Sequence, residues 1–279
     1  MPRVSELYIY PVKSLGGIAV DSATLTDRGF QLDRRWMLVD DNNEFLTQRE
    51  YPKMALLQTA ITTDGVLVSH KNNAAENILI PFSPSTTTTI NVKIWDDTCA
   101  ATPVSEEIDR WFSRMLGGKC KLVYMADDCH RIVDQRYAIN KDDVTSFSDA
   151  YPLLIIGEES LNDLNRRLQQ PLPINRFRPN IVAAGTEPYE EDVMEEFRIN
   201  GVRFYGVKLC ARCAIPTIDQ DTAEKSKEPT KTFASYRTSG NNVYFGQNLL
   251  YEGTGIISIG DEIEIIKRKA KPVFNSQAS

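Results

Sequence analysis

Asn200-Gly201 sits between Glu196-Phe197-Arg198-Ile199 and Val202-Arg203-Phe204-Tyr205, two runs in which apolar and polar side chains alternate. Alternation at period two marks a strand with one buried face, and Asn-Gly is the strongest short signal for a tight hairpin. The same grammar recurs along the chain. Residues 56–63 and 66–69 flank Asp64-Gly65, which predicts the positive φ angles of a type I′ turn. Residues 35–39 return as 45–47 across an acidic turn, and residues 5–12, 77–82, 90–95, 121–125 and 153–156 read as further strands. Residues 256–259 and 262–266 read as a hairpin across Gly260-Asp261. So many short strands point to a barrel or a sandwich.

Two segments break the pattern. From Glu106 to Leu116, the side chains Ile108, Trp111, Phe112, Met115 and Leu116 share one helical face, and Gly117-Gly118 supplies a C-cap. Residues 158–169 carry Leu161, Leu164 and Leu168 at helical spacing, whereas residues 129–147 are polar and irregular. The expected fold is α+β and β-dominated, with two barrel-like domains and peripheral helices. A chain of 279 residues, at roughly 150 per domain, has room for both. The expected boundaries are 1–120 and 121–270, with 271–279 a disordered, frayed tail.

Composition excludes more than it proposes. Charged residues are 25% of the chain and the formal net charge is −6, so no broad basic field invites nucleic acid or anionic lipid. No run approaches 18 apolar residues, and Met1-Pro2-Arg3 leads straight into a strand pattern, so neither a membrane span nor a signal peptide is expected. Five cysteines form no disulfide framework and suit a reducing cytoplasm. Gly253-x-Gly255 has no third glycine at dinucleotide spacing and no following helix, and Gly118-Lys119 precedes Cys120 where a P-loop needs Ser or Thr.

Cys210-Ala211-Arg212-Cys213 is the densest chemical signal. As a redox dithiol it should open a helix, but Ala214-Ile215-Pro216-Thr217 follows. Cys129 and His130 could complete a zinc site, though adjacent ligands are not a recognised zinc spacing. A single thiolate beside Arg212 would suit a soft metal. Two cysteines buried at a strand end is the remaining alternative.

The run from Lys208 to Asp219 resembles the core motif of the molybdenum cofactor sulfurase C-terminal (MOSC) domain. Tyr10-Pro11-Val12-Lys13-Ser14 resembles the opening of the associated N-terminal β-barrel, and Asp33-Arg34-Arg35-Trp36 its second motif. Phe147-Ser148-Asp149, Asn175-Arg176-Phe177-Arg178-Pro179-Asn180 and Phe245-Gly246-Gln247-Asn248 follow in the family's order. The pattern is similar to the branch that reduces amidoximes and other N-hydroxylated compounds.

The resemblance implies a molybdenum–molybdopterin cofactor with Cys213 as the protein ligand to the metal and Cys210 as a supporting thiol. It implies that Lys13, Arg34, Arg178 and Arg212 supply positive charge for the pterin phosphate, and that Ser14, Ser148, Asp149, Asn180 and Asn248 pair the polar edges of the ring. Asp149 and Asp219 are candidate general acids. Ala211 stands where some relatives carry serine, and Arg176 adds a charge where some have asparagine. No cysteine follows Cys213, so a [2Fe–2S] domain is not expected in this chain and electrons would come from a separate reductase or ferredoxin-like protein. A cofactor-binding or sulfur-carrier module without reductase activity and a zinc-stabilised interaction protein using Cys129, His130, Cys210 and Cys213 are the alternative classes.

Overall fold

Around Asn200-Gly201 the backbone does what the dipeptide requires. Met194–Ile199 pairs antiparallel with Val202–Ala211, with Ile199 opposite Val202. Asn200 and Gly201 take φ of 46° and 79°, the left-handed pair of a type I′ turn. Phe197 and Phe204 face each other on the inner side with ring centroids 5.5 Å apart. Each fully buried ring of this kind contributes roughly 1.5–3 kcal/mol from removal of apolar surface from water.

Asp64-Gly65 makes its hairpin differently. Leu57–Ile61 pairs with Gly65–His70 as expected, but neither Asp64 nor Gly65 has a positive φ, so the turn is not type I′. Thr62 instead donates its N–H to the Gly65 carbonyl at 2.9 Å. Glycine is needed at 65 because a Cβ there would lie 2.1 Å from the Ile80 carbonyl oxygen on the next strand.

The structure, a computed structural model describing residues 1–275, is 41% strand and 15% helix. Its largest sheet has nine strands and draws on both ends of the chain. Arg3–Ile9 pairs antiparallel with Ile181–Ala184, which runs parallel to Leu153–Gly157. Asn242–Glu252, Val202–Ala211, Met194–Ile199 and Ile263–Arg268 continue the sheet. Leu7, Phe30, Ile155, Phe204 and Ile257 fill the core against it. A second core surrounds Trp36, Leu38, Phe112 and Leu122. Here the helix Glu106–Leu116 is capped by the Ser105 hydroxyl, which accepts from the Ile108 N–H, and ends at Gly117 with φ 76°.

Three further expectations are corrected. Residues 256–259 and 262–266 do not pair with each other: Gly255–Ser258 pairs with Ser22–Leu25, and Ile263–Arg268 with Met194–Ile199. Both strands find longer-range partners with apolar faces to cover, which a local turn signal cannot reveal. The second helix stops at Arg167, where Leu168 turns extended. The segment read as a frayed tail is docked through residue 275: Phe274 stacks on the Arg237 guanidinium at 4.2 Å, and the Asn275 N–H donates to the Thr238 carbonyl at 2.8 Å. Residues 276–279 of that expectation lie outside the described residues.

The two cores are stitched together by backbone hydrogen bonds along two crossing segments. Arg34 N–H donates to the Tyr10 carbonyl (2.8 Å), Trp36 N–H to Pro11 (3.1 Å), Lys13 N–H to Trp36 (2.8 Å) and Phe147 N–H to Arg34 (3.0 Å). Every one of these residues lies in or beside a motif singled out from the sequence, and the seam forms the floor of a cleft.

Candidate active site

Side chains from six separate segments converge on that cleft. Lys13 and Ser14 come from the first crossing segment, Arg34 from the second, and Ser148 and Asp149 from the turn after Phe147. Arg178 and Asn180 precede the strand Ile181–Ala184, Cys210, Arg212 and Cys213 end the strand Val202–Ala211, and Asn248 lies opposite Leu154. The cleft encloses about 110 Å³ within an open volume of about 710 Å³. Ser14, Arg34 and Arg178 all take left-handed backbone conformations, with φ of 68°, 51° and 56°. Non-glycine residues adopt that region at an energetic cost, and such strain concentrates at functional sites.

Buried cations dominate one wall. The Lys13 ammonium donates to the Phe147 carbonyl at 2.8 Å and to Asp149 Oδ1 at 2.6 Å. Burial pushes its pKa down to about 8, partly opposed by Asp149 and reinforced by Arg131 and Arg34. Loss of hydration pushes the Asp149 carboxyl up, but the Lys13 ammonium, Arg34 and the Trp95 ring N–H outweigh it and hold the group well below the usual carboxylate range. Asp149 is therefore an ionised counter-charge at neutral pH, and its candidate role as a general acid is withdrawn.

Tyr10 is the plate on which two arginines rest, with the Arg34 and Arg178 guanidinium groups 4.6 and 4.2 Å from its ring centre. Arg34 pairs with the buried Asp33 at 2.5 Å and donates to Asn180 Oδ1 at 3.1 Å. Arg178 donates through Nη1 to the Leu15 carbonyl at 2.7 Å, but its Nη2 is buried and finds no partner among the described residues. Desolvation pushes the Arg178 pKa down to about 10, reinforced by Arg34 and only partly opposed by Tyr10 and the charges of Asp33 and Asp149. Arg212 donates through Nη2 to the Phe177 carbonyl at 2.8 Å and lies 3.2 Å from Cys210 Sγ through Nη1, while its Nε is also a buried donor with no partner among the described residues. Burial raises the Cys210 thiol pKa and Arg212 opposes the rise. Cys213 is partly exposed on the same wall.

Asp219 is elsewhere. It pairs with Arg176 at 3.0 Å and lines a separate groove, its second oxygen accepting the N–H groups of Asp221 and Thr222. Its carboxylate therefore secures a turn, and the catalytic assignment to Asp219 is withdrawn; Arg176 is likewise turned away from the cleft. The four-ligand zinc set is not assembled, because Cys129 packs beside Cys99 in a different core. Among the described residues no group of three or more His, Cys, Asp or Glu is placed to hold a metal.

Three supporting residues were missed. Tyr10 and Asp33 stand inside quoted motifs and were legible as neighbours of Lys13 and Arg34. Arg131 gave no signal: it pairs with Asp97 at 2.8 Å and donates to the Ser146, Ser148 and Asp149 carbonyls, which sets the turn presenting Ser148 and Asp149.

Comparison with known proteins agrees with this layout. Residues 1–119 match the MOSC N-terminal beta barrel domain and residues 142–264 the MOSC domain. The chain belongs to the MOSC family. It is 31% identical over 283 residues to mitochondrial amidoxime-reducing component 1 of Homo sapiens, covering 94% of this chain and 82% of that one. The Xenopus laevis protein of the same name is 29% identical over 95% of this chain and 82% of its own. The molybdenum cofactor sulfurase of Oryza sativa subsp. japonica is 32% identical over 90% of this chain, which spans only 32% of that protein.

Proposed function

We propose that this MOSC protein is a molybdenum-dependent oxidoreductase that reduces N-hydroxylated compounds (hydroxylamines, amidoximes and N-hydroxylated bases) to amines, with electrons from a separate reductase or ferredoxin-like protein. The observation that carries the reading is the pair of buried guanidinium donors without partners, Arg178 Nη2 and Arg212 Nε, on the wall that also holds Cys213. An unsatisfied buried donor costs about 1–3 kcal/mol, and a bound phosphate accepting from both removes that cost. A partly exposed thiol beside them is the soft donor a dithiolene-bound metal takes. The donor set thus fits the molybdopterin cofactor.

In this reading Cys213 would be the protein ligand to molybdenum. Lys13, Arg34, Arg178 and Arg212 would hold the phosphate, while Ser14, Ser148, Asp149, Asn180 and Asn248 would pair the ring edges. When bound, the cofactor supplies two-electron redox chemistry. The chain's own residues orient and charge the cleft. Asp33 holds Arg34 and Asn180 in one arrangement, and Asp149 keeps the Lys13 ammonium against the wall. Release of the hydroxyl oxygen as water needs a proton, and Lys13 Nζ, with a pKa near 8, holds one at neutral pH. The relatives named as amidoxime-reducing components support the substrate class. The five cysteines are free, which agrees with a cytoplasmic setting, and among the described residues no helix is long and apolar enough to cross a membrane.

Metal and pterin analysis of protein purified from the cytosol, followed by reduction of benzamidoxime with a chemical electron donor, tests this. Cys213→Ser should lose molybdenum and activity, and Cys210→Ser should keep most of both; the reverse pattern means that Cys210 is the ligand. The likeness to the sulfurase and the second thiol in the cleft favour one other reading, a cofactor-binding or sulfur-carrier module. Stoichiometric molybdenum with no reduction of any N-hydroxylated compound would establish it instead.

A further inference from the structure

Ile90–Ile94 and Asp97–Pro103 pair with Ile94 opposite Asp97, which leaves Trp95 and Asp96 as the turn between them. Trp95 takes φ of 55°, a left-handed conformation that bulky side chains seldom adopt. Strain of that kind persists where the surroundings over-determine it, and it gathers at ligand sites. The Trp95 indole is 39% exposed, whereas Trp36 and Trp111 are buried at 0% and 5%. Phe45 packs against it at 5.2 Å with the ring planes 51° apart, and the Arg49 guanidinium lies 4.2 Å from its centre. Among the described residues Arg49 makes no ion pair; its Nε donates only to the Thr47 hydroxyl, at 3.3 Å.

The shelf is coupled to the cleft. The Trp95 ring N–H donates at 3.3 Å to Asp149 Oδ1, the oxygen that also takes the Lys13 ammonium. Phe45 in turn lies 5.5 Å beneath that ammonium. Phe45, Arg49 and Trp95 line a groove of about 840 Å³. Its charged lining is Asp40, Glu44, Glu50 and Asp96 against Arg49 and Lys93, an acidic excess that repels anions.

We propose that this groove is the substrate subsite of the cleft and that it selects planar aromatic N-hydroxylated compounds, neutral or cationic, by stacking on Trp95. The inference rests on the reductase reading above and adds the substrate's shape and charge. The exposed part of the indole supplies the stacking face, and the Arg49 guanidinium, already packed 4.2 Å from the ring centre, holds that indole in place. Asp149, which lines the cation-lined cleft and accepts the Trp95 ring N–H from the groove, sets where the N-hydroxyl group enters.

The test compares benzamidoxime with acetamidoxime, using a chemical electron donor, in the wild type, Trp95→Phe and Trp95→Asn; asparagine tolerates the left-handed backbone, so the turn is kept. Loss of the ring in Trp95→Asn should raise the KM for benzamidoxime at least about tenfold relative to acetamidoxime, equivalent to about 1.4 kcal/mol, and Trp95→Phe should keep most of the preference. A ratio unchanged within about twofold of the wild type in Trp95→Asn overturns the shelf while leaving the reductase reading standing. The wild type should also favour benzamidoxime over its 4-carboxylate, and equal KM values overturn the charge selection. A second readout does not need turnover. Benzamidine should change the tryptophan emission of the wild type, because Trp95 is the exposed indole, but not that of Trp95→Phe. A change that survives in Trp95→Phe, or none in the wild type, refutes the shelf. If the wild type reduces neither substrate, the reductase reading fails and the emission titration still decides whether the groove binds planar rings.

Discussion

Asp33 is the residue whose loss should do most damage to the cleft for the smallest chemical change. Its side chain is fully buried. Oδ1 accepts the Tyr10 N–H at 2.8 Å and Asn180 Nδ2 at 3.2 Å, and Oδ2 accepts Arg34 Nη1 at 2.5 Å. Asp33→Asn keeps the shape but leaves one acceptor where three donors arrive, and it turns an amide NH₂ toward one of them. Arg34 then stays buried without its counter-charge. Breaking a buried pair by removing one partner costs about 3–5 kcal/mol, chiefly the penalty of the stranded charge. Urea unfolding at pH 7 should show a loss of that size. The contrasting variant is Asp219→Asn, whose carboxylate is 44% exposed in its pair with Arg176; solvent screening there limits the expected loss to about 1 kcal/mol or less. Because Arg34 and Asn180 both line the cleft, Asp33→Asn should also lower the molybdenum content of purified protein, and Asp219→Asn should not. Asp33→Asn protein within about 1 kcal/mol of wild type, carrying its full metal load, would refute the argument that Asp33 organises the site.

Glu191 provides a pH test. Burial, reinforced by Asp192, raises its pKa to about 7, so the folded state holds a proton that the unfolded chain releases near its ordinary 4.5. Stability should therefore fall as pH rises from about 4.5 to about 7, by up to about 3 kcal/mol. Glu191→Gln should flatten this dependence and raise the melting temperature at pH 8; a variant less stable than wild type at pH 8 contradicts the reasoning. Gly65→Ala should destabilise by about 1–3 kcal/mol in thermal melts, since the added Cβ meets a strand carbonyl at 2.1 Å. Asp64→Ala, in a turn that asks for no positive φ, should cost less than about 0.5 kcal/mol, and equal losses would mean that the turn is conformationally demanding after all.

The hairpin at Asn200-Gly201 and the capped helix Glu106–Leu116 were legible because each is decided within a few residues, by φ preference and by side-chain spacing. Gly65 shows the limit of that logic. The same dipeptide chemistry pointed to a type I′ turn, yet the glycine serves a close approach by Ile80, a residue on another strand. Asp149 and Asp219 show it for the site. Both are aspartates within motifs, but one sits 2.6 Å from a buried lysine and the other secures a turn in a separate groove, and no spacing rule distinguishes them.

What the linear chain determined by itself was the set of parts: short strands, two amphipathic helices, the order of the motifs, and Cys213 and the arginines as the groups with chemistry to offer. The strands and helices follow from local propensity and residue identity, whereas the choice of Cys213 and of the arginines follows from the resemblance of the ordered motifs to the MOSC family. The tertiary structure decided which parts meet. The parallel pairing of Leu153–Gly157 with Ile181–Ala184, and the antiparallel pairing of Arg3–Ile9 with that same strand, help carry six distant segments to one cleft. Burial there lowers the Lys13 pKa to about 8 and leaves Arg178 and Arg212 with donors that no other group among the described residues satisfies. Desolvation and unpaired hydrogen bonds are properties of surroundings. They arise only when residues far apart in sequence exclude water from one another, so a chain read in order could name the groups but not the charge they would carry.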